Sequence, residues 1–178
     1  MKIKYLISLV CLVFLTGEVL LAQKFDYVGP DKCKKCHNKP EKGQQFKIWS
    51  ESPHANAMKT LSGEKARAYA NEHNIVDPTK DLGCLKCHST AGNVAESLRT
   101  IITIEQGVSC ESCHGPGSGY KRKSVMKNRE SSVQNGLVLQ TRKVCEQCHN
   151  NYSPFYKPFD YDEMVKKIAH PNPKTKKE

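Results

Sequence analysis

Eight cysteines fall into four pairs, each separated by two residues and followed at once by histidine: Cys33-Lys34-Lys35-Cys36-His37, Cys84-Leu85-Lys86-Cys87-His88, Cys110-Glu111-Ser112-Cys113-His114 and Cys145-Glu146-Gln147-Cys148-His149. Thiols so spaced can add to the two vinyl groups of one haem. A histidine directly after them lies under the ring and can ligate the iron from the proximal side. Other chemistries also use cysteine pairs. Zinc ribbons do, but they do not need histidine after the second cysteine four times over. A thioredoxin-like redox motif occurs once, near a βαβ pattern that is absent here. Structural disulfides suit exported chains, but cysteines two apart are poor partners and the histidines would go unexplained. Four covalently bound haem c groups are therefore expected, one on each of the pairs Cys33/Cys36, Cys84/Cys87, Cys110/Cys113 and Cys145/Cys148. Their irons would be held proximally by His37, His88, His114 and His149.

The sixth iron position separates electron transfer from ligand chemistry. Of seven histidines, only His54, His73 and His170 lie outside the motifs, so four haems cannot all be bis-histidine within one chain. One of Met58, Met126 and Met164, a partner's residue or an open position must serve the remainder. His54 follows Pro53, which suits the first turn of a helix running to about Leu61. His170 follows a helix-like stretch, Tyr161 to Ala169, that Pro171 stops. His73 sits in polar Asn71-Glu72-His73-Asn74, where a surface role competes with ligation. All three are candidate metal ligands.

Positioning these residues falls to short helices. Pro40 to Ser50, Pro53 to Leu61, Ser62 to Ala70, Lys121 to Glu130 and Tyr161 to Ala169 read as helical. Leu98 to Glu105 alternates around Thr100, Ile101, Ile102, Thr103 and Ile104. It is the best strand candidate, with residues near Asn93 to Ser97 as a hairpin partner. Asn135-Gly136 marks a turn. The fold class expected is mainly α, a compact multihaem cytochrome with long irregular loops and at most a short β-hairpin. The motifs start at unequal intervals, so the chain is not a tandem array, and no domain boundary is visible.

The first 22 residues have the layout of a secretory signal peptide. Lys2 and Lys4 precede the apolar run Tyr5 to Leu15, and Leu20-Leu21-Ala22 offers a cleavage point. The run is short for a membrane span, and Thr16, Gly17 and Glu18 break it. Residues 23–178 form the expected cytochrome domain, with a frayed basic tail from about 171. Cys11, the ninth cysteine, leaves with the leader. The expected location is periplasmic or otherwise exported, with no stable membrane span after cleavage. The mature chain is short of Leu, Ile, Val and Phe for a self-sufficient core, and porphyrins would supply apolar mass. The net charge of +10 invites a nucleic-acid reading. Export argues against DNA or RNA, and cleavage with eight haem propionates lowers the charge to about +1. Basic clusters at Lys32 to Lys42, Lys121 to Arg129 and the tail could steer an acidic redox protein partner or form a solvated face.

Beyond the motifs, several runs carry a resemblance: Trp49-x-x-Ser52-x-His54-Ala55-x-Ala57-Met58, Asp77-Pro78, Gly107-Val108-Ser109-Cys110-Glu111-Ser112-Cys113-His114-Gly115-Pro116-Gly117, and Phe159-x-Tyr161-Asp162-Glu163-Met164-Val165-Lys166. In these the chain resembles the tetrahaem cytochrome c-554 family of periplasmic electron carriers. The resemblance implies a mainly helical fold with stacked haem pairs. It also implies distal ligation by His54 and His170, and a five-coordinate haem at the second motif, on His88. Nitrifier members have a distal histidine for the first haem just after the Cys-His-Gly-Pro-Gly run. Here Ser118-Gly119-Tyr120-Lys121-Arg122-Lys123 has none, which leaves His73, Tyr120, a methionine or a neighbouring subunit for that role. The function expected is electron transfer between an exported oxidoreductase and another cytochrome or quinone-linked acceptor. The alternatives are an enzyme converting a small nitrogen species at an open iron, and a subunit of a larger haem assembly.

Overall fold

The computed structural model describes residues 25–170, 172 and 173. The segment expected to be a leader, residues 1–22, and the tail from residue 174 lie outside them. Among the described residues ten short α-helices follow one another: α1 (Pro30–His37), α2 (Gln45–Ser50), α3 (Ala57–Thr60), α4 (Glu64–Glu72), α5 (Leu82–His88), α6 (Cys110–His114), α7 (Lys123–Met126), α8 (Arg129–Gln134), α9 (Arg142–Glu146) and α10 (Tyr161–Ile168). Four 3-10 turns lie among them, at Pro40–Lys42, Thr90–Asn93, Glu96–Leu98 and Ile104–Gln106. The fold is mainly α, as the sequence implies.

Local chemistry cuts the helices shorter than their apolar patterns suggest. The expected Pro40–Ser50 helix is divided by Gly43 and Gln44, both left-handed with φ of 96° and 50°. The stretch from Pro53 winds through turns before α3 begins at Ala57. Gly63, not Ser62, caps α4. The basic segment after Tyr120 splits because the Asn128 side chain accepts from Ser131 N–H and starts α8 afresh. Asp160 caps α10 in the same way, accepting from Glu163 N–H.

The strand expected at Leu98–Glu105 does not form, and no strand occurs among the described residues. A different device organises the segment. Arg99 Nε donates to the carbonyls of Ala91 and Val94, at 3.1 and 3.2 Å. Thr103 and Gln106 close a reciprocal capping box around the Ile104–Gln106 turn. Ile102 is fully buried against Ala91 and Val94, with Tyr27 and Ile104 packed around them, while Ile101 stays half exposed. The β-branched run thus anchors a loop through one side chain instead of presenting a sheet face. Gly92 lets this loop close on α5, since a Cβ there would sit 2.3 Å from the Leu85 carbonyl oxygen.

Protein side chains make little of the core. Among the described residues the buried hydrophobics are Val28, Leu61, Ala70, Leu85, Ala91, Val94, Ile102 and Tyr120, a small set for a chain of this length. Ile102→Ala is expected to destabilise the protein by about 2–5 kcal/mol. Ile101→Ala should cost roughly 1 kcal/mol or less. Denaturant unfolding of the two variants checks the contrast.

Candidate haem centres

A turn of helix puts residues i, i+3 and i+4 on one face, and that is the spacing of both thiols and the imidazole in every motif. Three of the histidines, His37, His88 and His114, end α1, α5 and α6. Asp81 caps α5 by accepting from Cys84 N–H at 3.0 Å. α9 stops at Glu146, but Cys148 and His149 still donate to the Cys145 carbonyl, so the turn carries through the fourth motif. None of the eight motif cysteines is joined to another in a disulfide. Among the described residues no three His, Cys, Asp or Glu side chains converge on a point where a bare ion could sit.

Thiols from different motifs meet. The Cys33 and Cys110 thiols lie close enough to perturb each other, which lowers Cys33 and, with burial, raises Cys110. Burial, then Cys87, pushes Cys148 up to about 12. Cys113 is raised by burial and by the nearby Cys145. Cys84 is pushed up to about 11 by burial and Asp81. The first motif therefore adjoins the third, the third adjoins the fourth, and the fourth adjoins the second.

The imidazoles pair across the same arrangement. The rings of His54 and His149 are 6.0 Å apart at 79°, and those of His114 and His170 are 5.9 Å apart at 64°. Two imidazoles bound to one iron from opposite sides, through bonds of ~2 Å, stand about 6 Å apart centre to centre. The residues present fit that group. Burial, then the neighbouring His149, lowers the basicity of His54. Burial, then His170 and His37, takes His114 down to about 4. Both therefore favour the neutral ring that a metal requires.

Second contacts orient the rings. His170 Nδ1–H donates to the Ile168 carbonyl at 2.8 Å, and His88 Nδ1–H to the Ala57 carbonyl at 2.8 Å, with Thr60 Oγ1 3.1 Å away. His37 Nδ1 faces Gln45 Oε1 at 3.3 Å. Each bond leaves Nε2 as the nitrogen that could hold a metal. The Gln140 amide lies 2.7 Å from His114 Nδ1, and His149 stacks on Phe159 at 4.6 Å. The His54 segment is tied to the third motif by Trp49 Nε1–H, which donates to the Val108 carbonyl at 2.9 Å. Val108 N–H in turn donates to the His54 carbonyl at 3.1 Å.

Two sequence candidates lie elsewhere. His73 caps the end of α4, exposed and stacked on Tyr69 at 3.8 Å, with its Nδ1–H bonded to the Tyr69 carbonyl. The structure brings it to no motif histidine. The Tyr120 hydroxyl is buried and donates to the Gly115 carbonyl at 2.8 Å. Burial and the nearby Glu111 hold the phenol well above its usual range, so it is a brace and not a free ligand. Sequence reasoning passed over Gln45, Thr60, Gln140 and Glu111. The first three are ordinary polar residues whose role arises only on folding. Glu111 occupies a motif position that elsewhere holds Lys34, Leu85 or Glu146, so nothing in its setting marked it.

The family described as cytochrome c554 and c-prime matches residues 32–115, which hold the first three motifs. Cytochrome c-554 of Nitrosomonas europaea is 31% identical over 207 aligned positions, covering 94% of this chain and 85% of that protein. No solved structure matches the chain. The helical fold, the paired imidazoles and this likeness along nearly the whole length agree: the chain belongs to the cytochrome c-554 family and is a c-type haem protein of the electron-transfer kind.

Proposed function

We propose that the chain is an exported electron carrier with four covalent haems, one on each Cys-x-x-Cys-His motif. The observation that carries this reading is the pair of imidazole contacts at 6.0 and 5.9 Å. His54 lies 95 residues before its partner His149, and His170 lies 56 residues after His114, so no local turn explains either contact. Bound haem supplies one-electron chemistry at each iron. The protein holds the rings and sets their order, and the meeting of thiols supports the path first–third–fourth–second.

Ligation is unequal along this path. His54 and His170 complete the sites of His149 and His114. Among the described residues neither His37 nor His88 makes a ring contact with a spare histidine, so on this reading the first two haems lack bis-histidine ligation. That inequality is the specific observation favouring the rival reading, small-molecule chemistry at an exchangeable iron. The carrier reading stands ahead of it, because a bis-histidine haem lies next in the path from each of the unequal ones. No helix among the described residues is long and apolar enough to cross a membrane. An acidic redox protein is the partner proposed, steered by the exposed Lys32 and Lys35 on α1 and by Lys39 just after it.

The pyridine haemochrome assay should return four haems per chain, and fewer would remove the four-haem reading. Electron paramagnetic resonance of the oxidised protein should show two low-spin bis-imidazole irons. His54→Ala should abolish one of these signals and His170→Ala the other, whereas His73→Ala should leave both. Cyanide should bind the two remaining irons. Four low-spin irons that ignore cyanide would sink the ligand assignment and the rival enzyme together.

A further inference from the structure

Glu111 is 2% exposed, and among the described residues no lysine or arginine forms an ion pair with it. Its carboxylate is held by backbone donors alone. Val28 N–H reaches Oε1 at 2.9 Å and Oε2 at 3.2 Å. Gly29 N–H reaches Oε2 at 2.8 Å, and Gly117 N–H reaches Oε1 at 2.7 Å. These bonds fasten the segment entering α1 to the loop leaving α6. Gly117 permits the approach, since a Cβ there would sit 2.8 Å from Val28 Cγ2.

The fastening does not explain the charge. A neutral amide could accept from the same N–H groups without carrying an unpaired anion out of water. What distinguishes the carboxylate is its field. It follows Cys110 directly, and its bonds to Val28 and Gly29 set it at the entry to α1, the helix that carries Cys33. It therefore lies between the attachment points of the first and third haems. In a buried setting a fixed negative charge favours the ferric haem, which carries one more positive charge than the ferrous form.

We propose that Glu111 is a positioning residue that lowers the reduction potentials of the haems on His37 and His114 relative to those on His149 and His88, and so gives the four-haem path a direction. Each step moves one electron: a ferrous haem of the first pair becomes ferric as a ferric haem of the second becomes ferrous. Electrons entering at the first motif then run downhill through the third and fourth toward the second. This inference rests on the four-haem reading above.

Potentiometric titration of the fully loaded protein, followed optically and by electron paramagnetic resonance, tests it. The bis-histidine haems on His114 and His149 share one ligand set, and the His170→Ala and His54→Ala spectra tell their signals apart. In the unaltered protein the His114 haem should titrate at the lower potential, and the reverse order overturns the proposal. In Glu111→Gln the His37 and His114 haems should shift upward while the other two stay in place. No shift, or an equal shift of all four, would overturn it. A merely structural role would lower the unfolding midpoint and leave the order of potentials alone. Should Glu111→Gln fail to assemble, the order in the unaltered protein still decides. A haem count below four would instead fault the underlying reading.

Discussion

A single helical turn that must present two thiols and one imidazole on the same face is the constraint from which the rest of the molecule follows. It can be met by a very short helix, and α6 spans only Cys110–His114. Short helices have little apolar surface of their own, because their stability normally comes from packing a longer amphipathic face. The fold therefore joins its pieces through polar contacts between loops: Glu111 to Val28 and Gly29, Trp49 to Val108, Arg99 to Ala91 and Val94. The hydrophobic cluster around Ile102 is an anchor for one loop, not a core around which the chain condenses.

Much of the site was legible because covalent chemistry fixes residue type and spacing. The four motifs, and the value of the spare histidines, can be read without knowing any contact. The family likeness singled out His54 and His170 from the three spare histidines. Which histidine meets which motif was not legible, since it depends on contacts spanning much of the chain. His73 shows the limit of residue type alone, for its ring is satisfied by Tyr69. Tyr120 shows the same, with a hydroxyl already committed to Gly115.

The fold was legible in class but not in detail. Apolar spacing finds helices, yet it does not register where Gly43 and Gln44 turn left-handed or where Asn128 restarts a helix. The run around Ile102 has the composition of a strand, but a strand needs a neighbour to pair with. Arg99 and the Thr103–Gln106 box use the local polar groups first. Local side-chain bonding outcompeted β propensity here, as it does wherever tertiary partners are lacking.

The histidine pairing also bears on how the chain is made. His54 precedes the last three motifs yet meets the fourth, and His170, near the chain's far end, meets the third. Neither half of the polypeptide can close its centres alone. Emerging in order from the amino terminus, the chain stays open until α10 has appeared, because loop closure over such distances precedes any reward from contact. On the four-haem reading proposed above, that delay leaves every cysteine pair open to thioether attachment before the chain closes. The crossed imidazole contacts thus tie final compaction to the arrival of the last helix.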